Sequence, residues 1–144
     1  MSKNIVLVTG GFDPIHSGHI AYFKAAASLG DELYVGINSD EWLVRKKRKA
    51  FLTWDERAAI ISELKPVTGV LSFDDSDNTA INAIIKALSI NLNNHVIFAN
   101  GGDRGKDNIP EMAFESDRVS FAFGIGGDDK KNSSSWILKN WEQK

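Results

Sequence analysis

The sequence predicts an α/β domain built on a mainly parallel, doubly wound sheet of five strands flanked by helices. Two observations predict it. Short apolar, β-branched runs alternate along the 144 residues with longer segments whose apolar residues recur at helical spacing. Glycine clusters at Gly10-Gly11, Gly101-Gly102 and Gly124 to Gly127 follow three of those runs. Parallel strands joined by right-handed crossovers gather such clusters at one rim, where ligands of open α/β sheets bind.

Ile5 to Thr9, bounded by Gly10-Gly11, reads as a buried first strand. Ser17 is placed to cap a helix running to Leu29, with Ile20, Phe23 and Ala27 along one face and Gly30 to end it. Leu33 to Ile37 supplies the second strand, and Ser39 or Asp40 caps a short helix leading into the basic run Arg45 to Lys49. Thr53-Trp54-Asp55-Glu56 has capping-box spacing. It opens a helix with Trp54, Ala58 and Ile61 at helical intervals, stopped by Pro66. Val67 to Phe73 reads as a third strand, followed by a helix carrying Ile81, Ile84, Ile85 and Leu88 on its apolar face. Val96 to Ala99 and Val119 to Phe123 are the fourth and fifth strands. Ser133, Ser134 and Ser135 offer caps for a last helix with Ile137, Leu138 and Trp141. The four tryptophans are expected mainly in packing. One Rossmann-like domain over residues 1–144 is expected, with no repeat or linker.

Composition narrows the function. Apolar residues at 42% and charged residues at 25% are ordinary for a globular chain. The lack of cysteine excludes disulfides, thiolate metal sites and a cysteine nucleophile. No run is long enough to span a membrane, and a cytoplasmic protein is the expectation. A net charge of −2 speaks against nucleic-acid binding, although five cations stand together at residues 45–49.

The chemistry is concentrated in Gly10-Gly11-Phe12-Asp13-Pro14-Ile15-His16-Ser17-Gly18-His19, where two imidazoles three residues apart open a helix. Residues at that spacing share a helix face. The N-terminus attracts anions, so paired imidazole donors there suit polyphosphate oxygens, and Gly18 leaves room between them. A dinucleotide-binding oxidoreductase is excluded because no G-x-G-x-x-G turn follows the strand.

This decapeptide resembles the signature GxFDxxHxGH of the cytidylyltransferase-like nucleotidyltransferases, matched by Gly10, Phe12, Asp13, His16, Gly18 and His19. The resemblance extends along the chain, and is greatest to glycerol-3-phosphate cytidylyltransferases and to the adenylyltransferase domain that makes ADP-heptose. It implies that a small phosphorylated acceptor attacks the α-phosphate of an NTP, CTP favoured over ATP, and that pyrophosphate leaves. It also implies Mg²⁺ held mainly by the NTP phosphates, with no metal-ligand set on the protein, and a homodimer. His16 and His19 would hold the triphosphate, with Gly10, Gly11, Phe12, Asp13 and Gly18 around the nucleotide and Asp13 bracing the loop or a histidine. Lys46 and Arg48 match family cations at the phosphates, while Lys47 and Lys49 are expected to face water. Lys46 and Arg57 would meet the acceptor phosphate. Gly102, Asp103, Ser133, Ser134 and Ser135 match family residues beside the nucleotide.

The sequence departs from the cytidylyltransferases in residues 126–132, where Lys130 or Lys131 stands in for an arginine, and at Gly11, where relatives have threonine or cysteine. A regulatory module that binds nucleotide without turnover is the competing reading. It would be expected to lose a histidine or the basic run, and both are present.

Overall fold

Uninterrupted apolar runs become interior strands because both of their faces are covered. In the computed structural model, which describes residues 2–101, 109–126 and 134–142, this holds most fully for β1 (Asn4–Gly10), where Ile5, Val6, Leu7 and Val8 are all fully buried. β2 (Glu32–Ile37) lies on one side of it, with β3 (Gly69–Leu71) beyond; β4 (His95–Gly101) lies on the other, with β5 (Val119–Ile125) beyond. Every pairing in this five-stranded sheet is parallel, and the order β3-β2-β1-β4-β5 is the Rossmann-like arrangement expected.

The alternation of side chains along β1 divides the core. Val6 and Val8 meet Phe23 and Ala26 of α1 (Ser17–Ala27) and Ala58 and Ile61 of α3 (Trp54–Ser62). Leu7 on the opposite face joins Phe98 and the Ala83, Ile84 and Ala87 stripe of α4 (Ile81–Leu88). Each fully buried Phe or Ile contributes about 1.5–3 kcal/mol. α2 (Asp40–Lys47) follows β2 and buries Leu43, and α5 (Ser134–Glu142) follows β5. No described helix is long and apolar enough to cross a membrane.

Four details differ from expectation. β3 is three residues long, not seven, because as an edge strand it pairs only with β2; Thr68 still bonds to Leu33 through backbone and side chain. α3 ends at Ser62, well before Pro66, in a tightened turn where Glu63 N–H bonds to Ile60. α4 faces the sheet with Ile84 and three alanines, Ala80, Ala83 and Ala87, which let the helix approach closely, so Ile85 is turned out. On α5, Trp136 and Trp141 are exposed by 50% and 67%, so neither packs as a core residue within this chain.

Candidate functional site

Where β1 and β4 part company, the sheet opens. The two strands pair from Asn4 to Leu7 against His95 to Phe98 and then separate. β1 stays paired with β2 as far as Gly10, and β4 with β5 as far as Gly101. The result is a crevice of about 270 Å³ at the carboxyl ends of the strands, at the switch point of the sheet. Thr9 to Phe12, His19 and Tyr22 line one side; Phe98 to Gly101 and Glu111 line the other. Two glycines permit its tight walls. A Cβ on Gly11 would come within 2.9 Å of Leu43, and one on Gly101 within 3.1 Å of the Tyr22 ring.

The two histidines are locked by the helix they open. His16, rather than Ser17, is the N-cap of α1: its Nδ1 accepts from Gly18 N–H at 3.0 Å. His19 Nδ1 accepts from His16 N–H at 3.3 Å, so the imidazoles form a reciprocal capping box. An Nδ1 that accepts carries no proton, which puts the proton of each neutral ring on Nε2. The rings stack at 3.8 Å, and Phe12 meets His19 edge-on at 5.0 Å. Burial, aided by repulsion from His16 and Lys47, lowers the His19 pKa to about 3. At neutral pH it is therefore an uncharged donor at the positive end of a helix.

The loop carrying these rings is held from below. Asp13, 1% exposed, accepts from Phe51 N–H at 2.6 Å and Leu52 N–H at 2.7 Å, and so braces the loop ahead of α3. With one backbone donor on each carboxyl oxygen, it is built as an anchor. Arg57 is also 1% exposed. It donates to the carbonyls of Leu52, Gly11 and Asn38 and to Asp40 Oδ1 at 2.6 Å. These four bonds use most of its five N–H groups and tie the ends of β1 and β2 to α2 and α3. Arg57, expected to meet an acceptor phosphate, is in this geometry buried and engaged mainly within the protein.

The basic run is also redistributed. Lys46 is exposed and sits over the Trp42 ring at 5.7 Å. Arg48 is the exposed C-cap of α2, at φ 74°. Neither has a described contact with the histidine loop. Lys47, expected to face water, is exposed, and its Nζ also donates to Asp13 O at 3.4 Å and acts electrostatically on His19. Arg45 bonds to Asp75 O and Asn78 Oδ1.

Residues 7–124 match the cytidylyltransferase-like family. The chain belongs to that family. Among cytidylyltransferase-like relatives, it is 32% identical over 143 residues to the bifunctional protein HldE of Aliarcobacter butzleri, covering 97% of this chain and 28% of that protein. It thus spans less than a third of that relative's length. It is 43% identical over 72 residues to an FAD synthase of Archaeoglobus profundus, covering 50% of this chain and 46% of the relative. The lipopolysaccharide core biosynthesis protein of Thermoplasma volcanium superposes with a TM-score of 0.64 at 26% identity, covering 88% of this chain and 99% of that one.

In this member of the cytidylyltransferase-like family, Gly10, Gly11, Phe12 and His19 line the crevice together, and His16 stacks on His19. Gly18 sits in the first turn of α1. Gly102, Asp103, Ser133, Lys130, Lys131 and the side chain of Ser135 lie outside the described residues. Ser134 opens α5 and donates its hydroxyl to Pro14 O at 2.7 Å, clasping the histidine loop from the far end of the chain.

Sequence reasoning missed three residues. Tyr22, whose hydroxyl donates to Ala99 O at 2.9 Å across the crevice, stands three residues beyond His19, and that spacing could have found it. Asp75 is buried and accepts from Asn38 Nδ2 and from Ser39 N–H and Oγ. Burial opposes its ionisation, but those bonds and Arg45 prevail and its pKa is lowered. Glu111 lines the crevice from a 3₁₀ turn, Pro110–Ala113.

Proposed function

We propose that this chain is a nucleotidyltransferase domain that joins the α-phosphate of an NTP to the phosphate of a small acceptor. The observation that carries the reading is the pair of stacked imidazoles, both with Nδ1 committed to the helix cap, at the mouth of the crevice where β1 and β4 separate. Fixed Nε2–H donors at a helix N-terminus suit a polyphosphate. Phosphoryl transfer of this kind needs positioning and charge stabilisation rather than a protein nucleophile. An acceptor phosphate oxygen forms the new bond to the α-phosphorus, the bond to the β-phosphate oxygen breaks, and pyrophosphate departs.

Lys47, beside His19 and Asp13, supplies positive charge in this reading, with Lys46 and Arg48 farther out on the same run. Gly102, Asp103, Ser133, Ser134 and Ser135 are placed beside the nucleotide in this reading by their resemblance to family residues that follow the fourth and fifth strands. No three described His, Cys, Asp or Glu side chains are grouped to hold a metal ion. Asp13 is engaged by backbone N–H groups on both oxygens. In this reading Mg²⁺ would arrive with the triphosphate, bound by phosphate oxygens and water, and would neutralise charge on the leaving pyrophosphate.

The donor base is CTP or ATP. The stretch Lys49 to Arg57 resembles cytidylyltransferases, whereas the relative named FAD synthase supports ATP. A glycerol phosphate or a sugar 1-phosphate such as a heptose suits the acceptor side, and a homodimer is part of the same proposal.

The test is pyrophosphate release with each of the four NTPs, Mg²⁺ and a panel of small phosphates, on wild type and His16→Ala. One NTP and acceptor pair giving His16-dependent release supports the transferase. Tight NTP binding with no turnover on any acceptor would favour a regulatory module, and no NTP binding would overturn both.

A further inference from the structure

Glu111 has one carboxyl oxygen with a partner and one without. Its side chain is 4% exposed, and Oε2 accepts from Ala80 N–H at 2.7 Å. Ala80 is the N-cap of α4 and makes no side-chain cap of its own, so Glu111 supplies a partner at that helix start. Oε1 is buried with no hydrogen-bond partner, the one such side-chain atom among the described residues. Buried carboxylate oxygens in native proteins are almost always hydrogen-bonded, so an oxygen without a partner in the chain points to one supplied from outside it. Glu111 lines the crevice, on the Asn100 and Gly101 side, with His19 among the residues of the opposite side.

Resting on the nucleotidyl-transfer reading, which puts the triphosphate at the histidines, we propose that Glu111 Oε1 accepts from the exocyclic amino group of the nucleotide base. The residue thereby selects cytosine or adenine over the oxo counterpart. The Ala80 bond occupies Oε2 and fixes the carboxyl group, which leaves Oε1 to meet the base, and the proposal takes it as the acceptor. An amino group completes a hydrogen bond there. A keto oxygen would set lone pair against lone pair, and the site would reject it.

The experiment is equilibrium binding, with Mg²⁺, of two nucleotide pairs that differ in this group, CTP against UTP and ATP against ITP, to wild type and Glu111→Gln. Wild type is expected to prefer the amino member of the pair it binds by on the order of ten- to a hundredfold, as for a hydrogen bond to a charged group. E111Q keeps an oxygen for Ala80 N–H and turns an NH₂ toward the base, so the preference should collapse or invert. An unchanged preference in E111Q, or none in wild type, overturns the inference while leaving the transferase reading intact. Binding of none of the four overturns both. An equal loss for both members that disappears with 3′-deoxynucleotides assigns the oxygen to the ribose and overturns the base assignment.

If E111Q does not fold, ¹⁵N-amino-labelled CTP or ATP bound to wild type decides by NMR. Amino protons slowed in exchange and shifted downfield support the inference; protons exchanging as in free nucleotide overturn it.

Discussion

At the scale of single residues, the site works through atoms already committed elsewhere. His19 gives Nδ1 to the cap of α1, which leaves Nε2–H to act on a ligand. His19→Asn is expected to lower turnover about a hundred- to thousandfold, as for loss of one preorganised donor, measured by pyrophosphate release. Lys47 and Lys46 separate a direct contribution from a peripheral one. Lys47→Ala should reduce turnover about tenfold or more, the order of one charge-assisted contact. Lys46→Ala, which loses only its place over Trp42 in this structure, should cost less in the same assay. The histidine pair was legible in the sequence because spacing, glycine and strand end are local features. The contact of Lys47 with the histidine loop was not foreseen, though a signal was there: Leu43 is the buried residue of α2, and Lys47 follows it by one helical turn on the same side. Glu111 carried no local mark, since its meaning depends on Ala80, thirty-one positions away.

At the scale of elements, three strand ends are bound into one frame by buried polar side chains. Asp13 ties the end of β1 to the approach to α3, and Asp75 ties the start of α2 to the segment after β3. Arg57 fastens the carbonyls beyond β1 and β2. Arg57→Met is expected to destabilise the fold by at least about 3 kcal/mol, because it strands buried carbonyls without donors. A lower urea midpoint would show it. If instead stability holds and only the KM for the acceptor rises, the phosphate-contact role expected from the sequence is supported. Continuous apolar runs made the interior strands readable. The length of β3 and the inward face of α4 were not, because an edge strand is limited by its single neighbour and helix rotation is set by which small residues fit the sheet. The alanines of α4 outweighed Ile85 for that reason.

At the scale of the whole molecule, stability and recognition are linked through protons and through the sheet. The folded chain holds the His19 pKa at about 3, whereas the unfolded chain titrates near the usual 6.5. Between those values the unfolded state binds the extra proton, so stability is full above about pH 6.5 and falls as pH drops toward 3. Urea unfolding across that range should show the slope, and His19→Asn should flatten it. The opening between β1 and β4 has another consequence. Beyond Leu7 and Phe98 the two strands face each other across a gap, each still hydrogen-bonded on its far side. A ligand filling that gap would act as a splint across the middle of the sheet, joining its β3-β2-β1 half to its β4-β5 half. Deuterium uptake should then slow on both sides together, at Thr9 to Gly11 and at Ala99 to Gly101, when nucleotide is added.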